Sequence, residues 1–512
     1  MNALKIGWSS RDVSTNKPVN IPGQFAMRIS RGIMDPVSVT ALVIDNGEDM
    51  VAFLSADLVV FRSNLLDEIR AKVKQCQPDF PVEKIIASAT HTHTAPGHWT
   101  DKEGGKETGS STPQLNCVPH DGVEIASSDE YRDFLSSQSA EAICEAYARR
   151  TPGGISFGYG YAVVAHSRRV VYFDDFGQRG GSKNGFMIDG HAKMYGNTRD
   201  DNFSHYEAGA DHFVNLLYTF DQQNKLTGAI VNVPCPSQCS ESRYQISADY
   251  WHDTREAIRR EHGNIFILPQ CAAAGDLSPR LLHYKEAQAR RFRLKYDSKT
   301  PGQTIDKDLG ERKDIAERLA AAFSEVLSWA KNDIQTALPL KHVVTTVELE
   351  KRLITPAEYQ FACERLEALQ KEQFTTEGTP LERLNVNSCL VSQRGRFERI
   401  ITRYKTQQQS PTLPTEMHVL RLGDVAFATN RFEYYMDFMH RIQARSPFLQ
   451  TFVVQLTAVP GMDGGTYLAT ERAVEGQGYS ACLFCNLVSP KGGQQIVDET
   501  VRILQELHGN GN

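Results

Sequence analysis

The sequence predicts a single α/β or α+β unit built around one large mixed sheet, and three observations carry that expectation. The first third alternates aliphatic, β-branched runs (VTALVID, MVAFLSAD, KIIASAT) with a helical one, NLLDEIRAKVKQC, which sets Leu65, Ile69 and Val73 at helical spacing. That βαβ order implies a sheet that is at least partly parallel, with functional residues on loops beyond the carboxyl ends of its strands. Strand-like runs also recur to the end of the chain. Finally, the 512 residues contain no internal repeat and no Pro-rich linker, so 1–512 reads as one domain rather than beads on a string.

Further along, a helix is expected over 129–149, followed by strands at FVNLLYTF, TGAIVNVP and NIFILP. Residues 99–128 and 176–201 are polar and aperiodic, and loops of that length inside a domain usually act as lids or binding loops. Both are expected to border the mouth of a site. Residues 285–371 read as a helix-rich insertion with Ile315, Leu319, Phe323 and Leu327 on one face, interrupted by a strand at LKHVVTTVELEKRL. Strands EMHVLRL, DVAFAT and TFVVQL and a closing helix near 494–507 complete the pattern.

Composition excludes several classes of partner. Lys and Arg number 56 against 62 Asp and Glu, a net charge of −6, and no run of five or six basic residues occurs. A nucleic-acid tracking surface or an anionic-membrane anchor is therefore not expected. No apolar run approaches the roughly 20 residues of a membrane span, and the first residues lack the pattern of a secretory signal. The 10 cysteines are scattered, which fits a reducing compartment, and the Cys482/Cys485 pair reads as core packing in an apolar stretch. The expectation is a cytoplasmic protein with a small-molecule substrate and no stable membrane insertion; a homo-oligomer is compatible with it.

The chemistry concentrates in SATHTHTAPGH, directly after the strand KIIA. Alternation along an extended chain would place His91 and His93 on one face, looking into one site. Imidazole is a common zinc ligand, so a further imidazole, thiolate or carboxylate nearby would complete a metal site.

Several segments resemble the neutral and alkaline, non-lysosomal ceramidases, in that family's chain order: SADLVVF, SATHTHTAPG, AAAGDLSPR and GTYLATERAVEGQGY. The resemblance implies a zinc hydrolase fold in which two His, one Glu and one Tyr bind the metal. His91 matches a ligand and His93 the neighbouring site histidine. Where the family carries its second ligand histidine this sequence reads VNVPCPSQCSE, and Cys235 takes that place. Glu433 matches the ligand glutamate, although Asn430 and Arg431 replace the Pro-Gly that precedes it in the family. Tyr467 matches the ligand tyrosine and Tyr479 the phenol that stabilises the oxyanion. Ser278 matches a site serine discussed both as nucleophile and as substrate contact. Arg168 matches the oxyanion arginine, with Arg169 the competing choice.

These residues imply a zinc-dependent, amidohydrolase-like enzyme that cleaves an acyl bond, amide or ester, of a polar metabolite or sugar by a metal-activated water, with His93 or a carboxylate moving the proton. The family's C-terminal immunoglobulin-like domain is not expected, since Asn512 follows Tyr479 by about 30 residues. Three alternatives stay open: a zinc enzyme with Cys235 as nucleophile acting on a glycoside or ester, a true neutral ceramidase, and a non-catalytic binding protein. Cys235 is accordingly read as ligand, nucleophile or structural thiol.

Overall fold

The computed structural model describes residues 3–62, 64–99, 115–179, 190–297, 305–461 and 466–509. Its largest sheet has eight strands, in the order Phe266–Cys271, Leu226–Val233, Phe213–Asp221, Thr151–Tyr161, Lys5–Asp12, Ser38–Asp45, Met50–Ala56 and Ile85–Ala89. Only the two outermost pairs are parallel, Met50–Ala56 with Ile85–Ala89 and Leu226–Val233 with Phe266–Cys271. The rest pair antiparallel, so the mixed sheet expected from the βαβ signal is present but dominated by hairpin-type pairing.

Why these segments became strands follows from burial on both faces. Val39, Ala41, Val43, Ala52 and Leu54 pack under the helices Leu65–Cys76 and Ser128–Ala148. Their neighbours Leu42, Ile44, Val51 and Phe53 point the other way, into a second core shared with a four-stranded sheet. Two-sided burial removes the polar alternation of a surface strand and leaves continuous apolar runs. Each Val, Leu, Ile or Phe among these contributes about 1.5–3 kcal/mol on burial, and each Ala less.

The second sheet has the order Leu340–Glu350, Thr412–Leu422, Val425–Thr429 and Gln450–Val454. Phe427 meets Phe53 across the two sheets with ring centroids 5.0 Å apart. The helices Met436–Arg445 and Pro490–Gly509 cover its far side through Phe438, Ile496, Val497 and Leu504. The strand expected inside 285–371 is therefore an edge of this sheet. The helix Lys307–Ala330 before it lies on the large sheet, where Val326 and Trp329 press on Gly158. The segment is part of the common core.

Two devices bring distant strand ends together. The large sheet curls until the strand Phe266–Cys271 at one edge packs against those at the other, with the Ser55 Oγ of the penultimate strand donating to the Pro269 carbonyl at 2.6 Å. The carboxyl ends of both parallel pairs then open on one side, joined there by the ends of Val425–Thr429 and Gln450–Val454, themselves a parallel pair. A helical pair, Pro356–Lys371 and Pro380–Thr406, packs beside this end. Both start at a reciprocal Thr-Pro-x-Glu cap, Thr355 with Glu358 and Thr379 with Glu382. Parts of the two loops expected as lids, 100–114 and 180–189, lie outside the described residues. Of their described flanks, Trp99 lines the cavity described below and Tyr195 reaches the same cluster.

Candidate active site

His91 follows the last residues of the strand Ile85–Ala89, but strand alternation is not what aims it. The strand stops at Ala89, and His91 takes a left-handed conformation with φ of 65°. This irregular turn brings the His91 and His93 rings to 4.8 Å between centroids and their Nε2 atoms to 3.3 Å. The surrounding residues pin it. Thr92 and Thr94 hydroxyls donate to the Ser247 carbonyl at 2.9 and 3.0 Å. Ser237 donates to the Thr90 carbonyl at 2.8 Å. Asp57, fully buried, ties Thr90 to Arg255. Gly23 has φ of 106°, and a Cβ there would stand 2.6 Å from the His93 ring. His98, the third histidine of the motif, is structural: its Nε2 accepts from the Arg62 backbone N–H at 3.2 Å.

Glu433 and Tyr467 arrive by a different route. The segments Glu433–Tyr434 and Tyr467–Leu468 form a short parallel ladder in which Glu433 is the register partner of Tyr467. Glu433 Oε2 lies 3.2 Å from His91 Nε2 and 3.7 Å from the Arg168 guanidinium. Burial would raise the Glu433 pKa, but His91 and Arg168 hold it below the ordinary carboxylate value. Tyr467 and Tyr479 meet edge to face at 5.6 Å, and burial drives both phenols well above their ordinary pKa, so both remain O–H donors.

Arg168 and Arg169 are both buried, against the solvated face usual for an arginine in a strand. Their roles divide cleanly. Arg168 donates to the Gly275 carbonyl at 2.8 Å, to the Gln238 Oε1 at 3.2 Å and to the Tyr467 hydroxyl at 3.3 Å. Arg169 pairs with Glu207 at 2.7 Å and donates to the carbonyls of Ala473, Gln477 and Tyr479. It holds the loop that carries Tyr479 and stays out of the cluster. Arg168 itself is absent from the cavity wall; it stands behind Glu433 and Tyr467 and sets their electrostatics, so the direct oxyanion contact expected for it is not what this geometry offers.

Cys235 is not brought to the cluster. Its thiol is fully buried, lying 3.4 Å from the Val164 carbonyl, and burial raises its pKa well above the ordinary thiol value. A thiolate ligand or nucleophile is not what such surroundings stabilise. The residue that reaches in from this loop is Gln238, three positions on, whose Nε2 lies 2.8 Å from His93 Nε2. Sequence reading missed it because an amide side chain in a loop carries no signal of its own. Ser278 is also set back: its Oγ meets the Tyr195 hydroxyl at 3.3 Å and the Arg280 N–H at 3.1 Å, and among the described residues it contacts no base that could activate it.

The cavity at this end has a volume of about 80 Å³. Its wall includes His91, His93, Glu433, Tyr467, Tyr479, Trp99 and Phe484, together with Arg62, Arg396 and Arg399. Cys485, expected only in the core, also lines it, 3.5 Å from Cys482.

Hydrogen-bond logic identifies a place for a cation. A carbonyl only accepts, so the 2.7 Å contact with Val59 requires the proton on His91 Nδ1 and leaves Nε2 facing outward. Gln238 accepts from Arg168 through Oε1, so its Nε2 donates to His93, whose Nε2 is bare. His93 Nε2 and Glu433 Oε2 thus both lie within 3.3 Å of His91 Nε2, an arrangement that a proton on His91 or a metal ion reconciles. Among the described residues no three His, Cys, Asp or Glu side chains converge as ligands of one metal ion. His91 and Glu433 form a pair, with the Tyr467 phenol as the third donor, and three protein donors suffice for a catalytic zinc site.

No family model and no curated protein matches the sequence. Two solved structures share its architecture. Neutral ceramidase from Pseudomonas aeruginosa aligns over 99% of this chain and 75% of its own, with a TM-score of 0.65 and 16% identity. A ceramidase complexed with C2 aligns over 100% of this chain and 76% of its own, at 0.65 and 15%. At that identity the likeness is one of fold, and the chain is built on the neutral-ceramidase fold.

Proposed function

We propose that this protein is a hydrolase of an acyl bond, amide or ester, in a polar substrate, working at the His91 and Glu433 cavity. The observation that carries the reading is the crowding of His91 Nε2, His93 Nε2 and Glu433 Oε2 around a point that demands a positive charge, beside two phenol donors. Zinc is the cofactor we propose there; His91, Glu433 and Tyr467 would hold it, and it would supply an activated water at neutral pH.

The chain's own residues do the remaining work. His93, whose Nδ1 faces Glu241 at 3.4 Å and whose Nε2 accepts from the Gln238 amide, borders the cavity and takes the proton of the attacking water on Nε2 as the Gln238 contact gives way. Tyr479 donates to the oxygen on which charge develops. Arg168, a permanent cation behind the carboxylate, keeps Glu433 ionised and Tyr467 in place. A polar substrate is favoured over a long lipid because the cavity is small and its wall sets His91, His93, Glu433, Tyr467, Tyr479 and three arginines beside a few apolar side chains, among them Leu456 and Phe484.

The test is a hydrolysis screen in which N-acetylated sugars and short amides of amino compounds compete with ceramides of varied chain length. Turnover of polar amides or esters is expected. Efficient, chain-length-dependent turnover of ceramide with none of the polar compounds would overturn the substrate class, and cleavage of no acyl bond would overturn the hydrolase.

A further inference from the structure

The cavity wall carries a nucleophilic side chain that the proposed hydrolysis does not use. Among the described residues Cys485 is the one cysteine that lines the cavity, and its Sγ lies 3.5 Å from that of Cys482. Both side chains are otherwise buried, so the cavity is where a solute meets the pair. At about 80 Å³ it has room for small polar molecules, since one water needs about 10–15 Å³.

The loop around the pair keeps the two sulfurs close. The backbone N–H groups of Cys485 and Asn486 both donate to the Cys482 carbonyl, at 3.0 and 3.1 Å, which folds Cys-Leu-Phe-Cys into a tight turn. Residues that close such a turn have Cα atoms less than about 7 Å apart, the range a disulfide spans. Arg352 donates to the Ala481 carbonyl at 2.6 Å and to Asn486 Oδ1 at 3.0 Å, and Arg403 donates to the Leu483 carbonyl at 2.8 Å. The turn is thus pinned from both sides. A bond between the sulfurs, about 2.0 Å long, needs them to approach by only ~1.5 Å. Burial would raise the Cys482 pKa, but the Cys485 thiol and the guanidinium groups of Arg352 and Arg396 hold it below the ordinary thiol value. A lowered pKa in a Cys-x-x-Cys turn is the usual mark of a reactive pair rather than an inert one.

We propose that Cys482 and Cys485 form an oxidisable dithiol, which hydrogen peroxide entering the cavity converts to a disulfide. Cys485, the sulfur on the wall, attacks one peroxide oxygen as its proton passes to the Cys482 thiolate. The O–O bond breaks, Cys485 becomes a sulfenic acid, and the hydroxide that leaves takes the proton from Cys482 to form water. The Cys482 thiolate then attacks the Cys485 sulfur; the S–S bond forms, the S–O bond breaks, and the second hydroxide takes a proton from solvent. The two sulfurs lose two electrons, and the peroxide is reduced to two waters. A dithiol reductant reverses the change by exchange.

The experiment reads thiol chemistry, so it is independent of turnover. The protein is reduced with dithiothreitol, desalted and exposed to a graded series of hydrogen peroxide. It is then quenched by alkylation under denaturing conditions, and each cysteine is followed by peptide mass spectrometry. The folded wild type should form the Cys482–Cys485 bond at least about tenfold faster than the buried thiols of Cys144, Cys235 and Cys271 are lost, and dithiothreitol should restore both thiols. Cys482→Ser should leave Cys485 as a sulfenic acid that dimedone traps. Cys485→Ser should leave Cys482 unoxidised, because the sulfur that faces the cavity is gone. Oxidation of the exposed Cys76 and Cys117 while Cys482 and Cys485 stay reduced in the folded wild type would overturn the proposal, whether or not the variants fold. A Cys482–Cys485 bond that forms only after unfolding in urea would overturn it too.

Discussion

Glu433 and Tyr467 face each other as register partners of a two-residue parallel ladder, although 34 positions separate them in the chain. That pairing delivers a carboxylate to His91 at 3.2 Å and the Tyr467 phenol to that carboxylate, and Arg168 touches both. Removing the carboxylate leaves Arg168 buried without its counter-charge. Glu433→Gln should therefore lower kcat/KM by at least about 10² and also lower Tm, since a stranded buried charge is among the costlier single changes. Steady-state kinetics and thermal melts on one preparation check both; an active variant of unchanged Tm contradicts the assignment.

The adjacent arginines should separate in their effects. Arg168→Gln is expected to cost about 10- to 100-fold in activity with the fold retained, the usual scale for a residue that orients a site from behind. Arg169→Gln breaks the pair with Glu207 and frees three carbonyls of the loop carrying Tyr479, so its main effect should be on Tm and protease resistance. Limited proteolysis beside kinetics distinguishes them. The reverse pattern would exchange their roles.

Cys235 and Gln238 provide a second pair of opposites. Cys235→Ser should leave metal content and turnover nearly unchanged, because the thiol is engaged with the Val164 and Pro236 carbonyls and the Tyr250 side chain, away from His91 and Glu433. Gln238→Ala removes the bridge between Arg168 and His93 and should cost at least about tenfold in kcat. Loss of metal in Cys235→Ser, measured by elemental analysis, would restore the thiol as a ligand.

Much of this was legible in the sequence. The THTH turn, the Glu433 and Tyr467 pair and the strands flanking them could be assigned because apolar runs and the resemblance pointed to the same places. What sequence could not supply was the outcome of long-range packing. The Cys235 loop follows its strand as expected, yet a thiol is too short to reach inward and a longer amide three residues later does. Arg168 and Arg169 sit in the same local sequence, and only the tertiary partners Glu433 and Glu207 separate them. The helix Pro380–Thr406 was missed although TPLE is the same start signal as TPAE at 355–358, since its polar, evenly mixed composition hides the helical period.

Stability should also depend on one buried acid outside the site. Glu311 is buried, its Oε1 has no hydrogen-bond partner among the described residues, and burial raises its pKa to about 8 against the opposing charges of Lys307 and Arg280. A carboxyl whose folded pKa exceeds its unfolded one stabilises while neutral, so this contribution is full below about pH 4.5 and is lost as pH rises toward 8. Glu311→Gln should flatten the fall in denaturant midpoint between pH 5 and about 8. An unchanged pH slope would remove Glu311 as its cause.

Metal content gives a check on the cation site. About one zinc per chain is expected by elemental analysis, lost together with activity in strong chelator and recovered on adding zinc back. Full activity in chelator would assign the cation between His91 and Glu433 to a proton.

The most direct test of the central claim is the rate of acyl-bond cleavage by the wild type and by His91→Asn on the best substrate from the polar screen. Asparagine keeps a polar side chain of similar reach but removes Nε2, the atom around which the site is built. The account predicts steady turnover by the wild type and a loss of at least about 10² in His91→Asn, with circular dichroism and Tm preserved. Undiminished cleavage by folded His91→Asn would contradict it.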